Sequence, residues 1–305
     1  MTRGVFKAIV YYDCLDYPLT KEELESFSFK DEGEIKNNLI QLAKGFHFLK
    51  GREALIQLRK ERNQIAEEKW EKTLKAVKWL RLIPYIRLVF ASGSLALSNT
   101  DEESDLDVLI VTKSGRIWIT RFLTVFILSL LGARRTRYEK IAPDKICLNH
   151  FITDKSLYIP RKSIYTAQLY SRLVPITGEK DLIDRFFEAN SWIRNYIPKF
   201  PISNFQFPNK FQIPNSNFLK LIRNIEEKIL DTKLGDWIER ILKKYQLRRI
   251  NNYHLTHKPG GRIKADNESL EFHPDSPELR IIERYNKIML QLGFEDLTEK
   301  SSFVI

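Results

Sequence analysis

The chain has 305 residues, of which 43% are apolar and 12% aromatic, so it is long enough for two or three domains with substantial cores. This composition excludes an intrinsically disordered protein. Fifty Lys and Arg residues against thirty-nine Asp and Glu residues give a formal charge of +11, which favours anionic partners such as nucleotides, nucleic acid or acidic membrane surfaces.

The first segment of the chain carries no export signal that we recognise. It contains Asp13 and Asp16 and lacks the long apolar core of a signal peptide. The two cysteines, Cys14 and Cys147, lie far apart, which indicates neither a disulfide framework nor a multi-cysteine zinc site. We therefore expect a cytoplasmic protein.

Residues 1–62 predict a winged-helix-like domain. Apolar residues at helical spacing predict a first helix, and Thr20 with Glu23 forms a capping-box pattern ahead of a second. A third amphipathic helix is expected over 31–45 and a β-hairpin over 46–58. In nucleic-acid-binding versions of this plan the third helix enters the major groove, whereas docking or dimerisation is the alternative role.

The rest of the chain predicts an α+β fold with a central mixed sheet. A charged connecting helix is expected over 63–84, and residues 85–160 follow the order strand, loop, strand, helix, strand. Residues 161–305 read as mostly helical, interrupted by a proline-rich loop. The apolar run Ile117–Ala133 is shorter than the roughly 20 residues of a membrane span and contains Arg121, so we expect a buried helix and no stable membrane insertion.

The chemistry is concentrated at the start of the strand "DVLIVT". Asp105 and Asp107 alternate with Leu106, so in an extended chain both carboxylates point the same way. Like charges that converge raise one another's pKa unless a cation lies between them. Mg²⁺ (or Mn²⁺) prefers such oxygen ligands together with substrate phosphates, so this pair predicts a metal site.

A Gly-Ser pair precedes these aspartates and follows a predicted strand. Gly93 permits close approach of a phosphate to the backbone, and Ser94 offers a hydroxyl donor. Gly93-Ser94, ten intervening residues that end in Ser104, and then Asp105-Leu106-Asp107 entering a strand resemble the signature of the DNA polymerase beta-like nucleotidyltransferase superfamily. The resemblance implies that Asp105 and Asp107 hold the metal and that Gly93, Ser94 and Ser104 contribute to the nucleotide site.

Active members of that superfamily usually add a third carboxylate from a neighbouring strand. In "KICLNHFIT" the corresponding polar residue is Asn149, which can ligate a metal through its carbonyl but cannot act as a base near neutral pH. Asp144 and Asp154, at the two ends of this strand, are the alternatives. We interpret His150, the neighbour of Asn149, as a packed histidine on the opposite side of the strand.

The leading hypothesis is a nucleotidyltransferase that transfers a nucleoside monophosphate from a metal-bound NTP to a hydroxyl acceptor, with release of pyrophosphate. Protein, nucleic acid and small-molecule acceptors all occur among the relatives that the resemblance suggests. The alternative is a regulatory protein that senses nucleotide, binds nucleic acid and has impaired catalysis, which Asn149 would explain.

Three weaker features have two possible interpretations, one as binding sites and one as ordinary surface or helix-end residues. Residues 242–264 interleave basic and aromatic side chains, which suits phosphate contacts and base stacking but also a helix C-terminus or a solvated surface. His254 and His257 have a spacing that permits a shared metal but have no evident partner ligand. The three arginines that follow the apolar helix favour either phosphate contacts or helix-end stabilisation; they are Arg134, Arg135 and Arg137.

Overall fold

The structure is a computed structural model, and the residues that it describes are 1–31, 33–35, 38–200, 213, 217–257, 261–274 and 276–302. Most of the proline-rich segment lies outside the described residues. The described α-helices are α1 (Arg3–Asp13), α2 (Lys21–Phe27), α3 (Ala54–Leu80), α4 (Gly93–Ala96), α5 (Ile117–Leu130), α6 (Ile164–Ser171), α7 (Lys180–Ala189), α8 (Asn217–Leu230), α9 (Lys233–Asn251) and α10 (Glu278–Gln291). The described strands are β1 (Leu19–Thr20), β2 (Ile40–Ala43), β3 (Phe46–Leu49), β4 (Ile86–Ala91), β5 (Leu106–Thr112), β6 (Ile146–Thr153), β7 (Val174–Gly178), β8 (Arg262–Ala265) and β9 (Ser269–His273).

A six-stranded mixed sheet forms the centre of the molecule, in the order β7-β4-β5-β6-β9-β8. Strands β5 and β6 are parallel and are connected through α5, whereas every other neighbouring pair in this sheet is antiparallel. The expectation of a central mixed sheet is confirmed. Because β4 runs antiparallel to β5, the end of β4 lies beside the start of β5, which brings the Gly-Ser pair to the two aspartates.

The sheet extends beyond the expected core of residues 85–160. Strands β7, β8 and β9 all come from the part of the chain expected to be mostly helical, and β9 pairs directly with β6. Short strands of this kind carry few residues for a periodic pattern, so their pairing partners decide their structure.

The prediction of a third N-terminal helix over 31–45 is wrong for those residues of the range that the structure describes. Residues Ile40–Ala43 are extended and pair with Phe46–Leu49, because Lys44 and Gly45 form a two-residue turn with φ of 50° and 82°. Positive φ at both central positions is the conformation of tight hairpin turns. The hairpin therefore precedes the position predicted for it, and the residues expected as its second strand begin α3.

Helix α3 also runs without a break through the expected boundary at residue 62. Strands β1, β3 and β2 form a separate three-stranded sheet in that order beside α1 and α2. No helix occupies the described residues between α2 and β2, where the winged-helix plan requires its third helix. The winged-helix interpretation of this unit stays a prediction.

Helices cover both faces of the central sheet. On one face, α3 and α5 pack through Val77 and Trp118 against Ile110 of β5. On the other face, Tyr170 of α6 and Phe186 of α7 join a second cluster. A third cluster joins the N-terminal unit to α10, so the C-terminal helix completes the N-terminal core.

Helix α5 contains most of the expected apolar run. Ile117, Trp118 and Leu128 are buried, in line with the expectation of a packed helix, although Phe126 and Leu130 are exposed. Among the described residues, no helix has both the length and the apolar character that a membrane crossing requires.

Candidate active site

The two aspartates lie at the beginning of β5, beside the end of β4. Leu106 between them is fully buried, whereas both aspartates are partly exposed. The backbone N–H of Ser92 donates to the Asp107 carbonyl over 3.0 Å, which ties the turn after β4 to the aspartate-bearing strand. The carboxylate oxygens of Asp105 and Asp107 lie within 4.8 Å of each other, as strand alternation led us to expect.

The Gly-Ser pair forms one turn of helix and not the expected loop. Gly93 and Ser94 are the first two residues of α4, and Gly93 has φ of +63°. A Cβ atom at Gly93 would lie 2.6 Å from Oδ2 of Asp107, closer than real Cβ contacts allow. Glycine is thus required both by the backbone conformation and by the nearness of the carboxylate.

Strand β6 contributes two side chains to the aspartate pair. Asn149 Nδ2 donates to Asp107 Oδ1 over 2.6 Å. The Cα partner of Asp107 in the parallel ladder is Cys147, and the register shifts just beyond this pair. The side-chain donor atoms of Asp105, Asp107 and Cys147 all lie within 4.8 Å of one another. Cys147 was not among the predicted site residues, although its spacing of two from Asn149 in an extended strand was a usable signal.

Arg135 lies at the same place. Its Nη1 atom is 2.5 Å from Oδ2 of Asp105, and its Nη2 atom donates to the Lys140 carbonyl over 3.2 Å. Of the three arginines after α5, Arg135 is the one that pairs with an aspartate of the site. Arg134 donates to the Ser129 hydroxyl, and Arg137 donates to the Arg249 carbonyl.

The electrostatics of the pair agree with a cation-binding function. Burial, and next the charge of Asp105, raise the pKa of Asp107 to about 7, although Cys147, Arg135 and Asn149 act in the opposite direction. Burial and the Asp107 charge also raise the pKa of the Cys147 thiol. One guanidinium thus leaves the repulsion between the carboxylates only partly compensated, and a divalent cation would remove the remainder. Two carboxylates with room for substrate phosphates suit Mg²⁺ or Mn²⁺.

Ser104 makes its side-chain contacts within the acidic loop, and its role in the nucleotide site stays a prediction. Its hydroxyl donates to Asp101 Oδ1 over 2.6 Å and accepts from the Asp101 N–H, so it closes the acidic loop before β5. Its carbonyl accepts from Lys69, a residue that is 2% exposed and that also binds Asp144. The contacts of Ser104 are therefore those of a loop-stabilising residue.

Neither alternative to Asn149 supplies a third carboxylate. Asp144 pairs with Lys69 at 2.9 Å and with Lys72 at 2.5 Å, outside the aspartate pair. Asp154 follows the opposite end of β6, where it accepts from the Ser114 N–H. Within the described part of the chain, the acidic and thiol groups that gather here are Asp105, Asp107 and Cys147.

The basic segment 242–264 does not form one surface. Arg262 is 3% exposed and pairs with two acidic residues, Glu271 and Glu278. Tyr245 remains exposed on α9, where Arg249 donates to its hydroxyl. Lys258 lies outside the described residues, as does the side chain of His257, so the suggested pair of His254 and His257 is not described.

Comparison with known proteins supports a coarse assignment of the region that carries the site. Residues 70–174 match the family model of a nucleotidyltransferase domain. The nucleotidyltransferase match covers β4, β5 and β6 and all of the residues that meet at the aspartate pair. No curated protein and no solved structure gives a significant match to the chain. The similarity supports a transferase with a nucleoside triphosphate substrate, and nucleotidyltransferases generally use a divalent metal.

Proposed function

We propose that this chain is a metal-dependent nucleotidyltransferase that transfers a nucleoside monophosphate to a hydroxyl acceptor. The observation that carries the proposal is the contact between the Gly-Ser turn and the aspartate pair. Gly93 leaves no space for a side chain between its own backbone and Asp107. A triphosphate at the turn therefore lies within reach of a cation held by the carboxylates.

Asp105 and Asp107 would hold the cation, with Asn149 as a further candidate ligand. Arg135 orients Asp105, and Asn149 orients Asp107 through its amide N–H. The bound cation would supply charge neutralisation for the triphosphate and for the departing pyrophosphate. Gly93 and Ser94 would position the triphosphate, whereas Ser104 would act through the shape of its loop.

In the proposed reaction, the acceptor hydroxyl oxygen forms a bond to the α-phosphorus. The bond from that phosphorus to the bridging oxygen of the β-phosphate breaks, and pyrophosphate leaves with the electron pair. Asn149 cannot accept the hydroxyl proton, which passes to water. Protein and nucleic acid hydroxyls are both acceptors of suitable chemistry, and the charge of +11 favours an anionic one.

The test is titration of the purified chain with each of the four Mg²⁺ or Mn²⁺ nucleoside triphosphates, followed by measurement of pyrophosphate release with protein and RNA acceptors. Asp107→Asn is expected to abolish both binding and release. Glu103→Gln, in the exposed acidic loop, is the matched control and is expected to retain both. Equal triphosphate binding by the parent chain and Asp107→Asn would refute the proposed site.

A second candidate function is favoured by the amide contact of Asn149 with Asp107. A chain that lacks the third carboxylate can bind metal and nucleotide yet turn over slowly, as a nucleotide-sensing regulatory protein would. Asn149→Asp separates the two functions. A sensor binds nucleotide without releasing pyrophosphate and gains release in this variant, whereas an enzyme releases pyrophosphate with Asn149 in place.

A further inference from the structure

A second group of metal-binding side chains lies on β6 and β9, next to the aspartate site. It consists of His150, Glu271 and His273, whose donor atoms all lie within 4.8 Å of one another. His150 and Glu271 are buried, and His273 is partly exposed. None of the three is needed for the reaction proposed above, so the group requires its own explanation.

Strand pairing holds these three side chains together. His150 and Glu271 are direct Cα partners in the antiparallel ladder of β6 and β9. His273 follows Glu271 by two residues, so it points to the same face of the sheet. The rings of His150 and His273 lie 6.3 Å apart between centroids, at an interplanar angle of 85°. Two nitrogen ligands and one carboxylate therefore converge from rigid elements.

His150 is oriented by a neighbouring helix. The hydroxyl of Tyr170 on α6 lies 3.2 Å from its Nδ1 atom. When Nδ1 donates to this oxygen, the lone pair lies on Nε2, which is the usual arrangement for a metal-bound histidine. The Tyr170 hydroxyl therefore fixes the orientation of the His150 ring towards β9.

Charged groups of both signs lie around Glu271. Arg262 contacts Glu271 through Nη2 and lies 3.7 Å from Glu278, which is fully buried. Two buried carboxylates thus share one guanidinium. The Glu271 oxygen nearest to Arg262 makes no hydrogen bond of regular geometry despite its burial. Lys264, the ladder partner of Glu271 on β8, pairs with Asp266 instead, at 3.2 Å.

We propose that His150, Glu271 and His273 bind one zinc-class divalent ion, in a site separate from the aspartate pair. Two imidazoles and a carboxylate form a donor set that zinc uses in open sites, with water as a fourth ligand. Tetrahedral bonds of about 2.0–2.2 Å place donors roughly 3.3–3.6 Å apart. The donor atoms lie within 4.8 Å of one another, so side-chain movements of about 1 Å would bring them to this spacing. The ion would fasten β9 to the strand that carries Asn149.

The test uses Co²⁺ and Zn²⁺ titrations of the full chain carrying Asp105→Asn and Asp107→Asn, so that metal binding by these carboxylates is excluded. We expect one Co²⁺ per chain with the intense visible absorption of a tetrahedral site, displaced by Zn²⁺. His273→Ala should weaken binding by more than ~100-fold, and Tyr170→Phe by about 10-fold through loss of ring orientation. His254→Ala, which removes an exposed histidine elsewhere, is the control and should change nothing.

Thermal unfolding of each variant shows whether it is folded. If His273→Ala does not fold, Glu271→Gln replaces it, because glutamine keeps the size of the side chain and an oxygen for Arg262. Absence of saturable Co²⁺ binding in the Asp105→Asn, Asp107→Asn chain would overturn the proposal. The proposal would also be overturned if His273→Ala, or Glu271→Gln in its place, bound Co²⁺ with the same affinity as the chain without that substitution. Neither result depends on nucleotidyl transfer, so the proposed function stands or fails separately.

Discussion

Gly93→Ala is the substitution that most directly tests the contact between the Gly-Ser turn and Asp107. An alanine Cβ would lie 2.6 Å from Asp107 Oδ2, whereas ordinary contacts begin at 3.4 Å, so the oxygen has to move by about 0.8 Å. Asp107 cannot rotate freely, since Asn149 holds its other oxygen at 2.6 Å. The substitution therefore displaces a carboxylate of the proposed metal site.

Two effects of different size are expected. A non-glycine residue at a φ of +63° costs roughly 1–2 kcal/mol of folding free energy. A misplacement of about 1 Å at a reacting centre costs on the order of 100-fold in rate, or about 2.7 kcal/mol of activation free energy. Gly93→Ala should thus lower the unfolding free energy modestly and pyrophosphate release strongly.

Gly132→Ala is the matched control. Gly132 has the same φ of +63°, and a Cβ there meets no atom within 4 Å. Denaturant unfolding should give similar losses for the two variants, while triphosphate titration and pyrophosphate release should be impaired in Gly93→Ala alone. Activity of Gly93→Ala within a few-fold of the parent, or an equal activity loss in Gly132→Ala, would refute the reasoning.

Three further predictions concern ionised groups in and near the site. Burial, and next the Asp105 charge, raise the pKa of Asp107 from the ordinary range of an aspartic acid to about 7, so the folded state holds this proton more tightly than the unfolded state does. Without divalent metal, the parent should therefore lose stability relative to Asp107→Asn as the pH rises from about 4 to about 7; a flat difference in unfolding free energy would contradict this. Arg135→Gln should move the upper end of that window to higher pH, because the Arg135 charge lowers the pKa of Asp107. Lys69→Met should cost about 3 kcal/mol in denaturant unfolding, since the buried ammonium binds Asp144 and two carbonyls. Lys72→Met removes a half-exposed partner of the same aspartate and should cost no more than about 1 kcal/mol; equal losses would contradict the assigned role of Lys69.

The local chemistry of the site could be predicted from the sequence because it depends on short-range geometry. Strand alternation is enough to place Asp105 and Asp107 on one side of Leu106. The order of strand, Gly-Ser and aspartates is enough to bring Gly93 to their edge of the sheet. Even so, the turn that contains Gly93 is helical, and its closeness to Asp107 required coordinates.

The N-terminal hairpin shows where a periodic pattern misled the prediction. Apolar residues between 35 and 42 fit both helical spacing and a short half-buried strand. The two-residue turn at Lys44 and Gly45 decided between them, because its positive φ angles direct Phe46–Leu49 back along Ile40–Ala43.

By itself, the sequence determined a globular, basic protein with a mixed sheet and an acidic pair beside a Gly-Ser turn. The tertiary structure alone decided which distant residues complete that pair. Arg135 reaches Asp105, Cys147 becomes the ladder partner of Asp107, and β9 brings Glu271 and His273 to His150. These contacts depend on strand order and register. Both are set by burial of whole sheet faces against helices, which no local window of residues encodes.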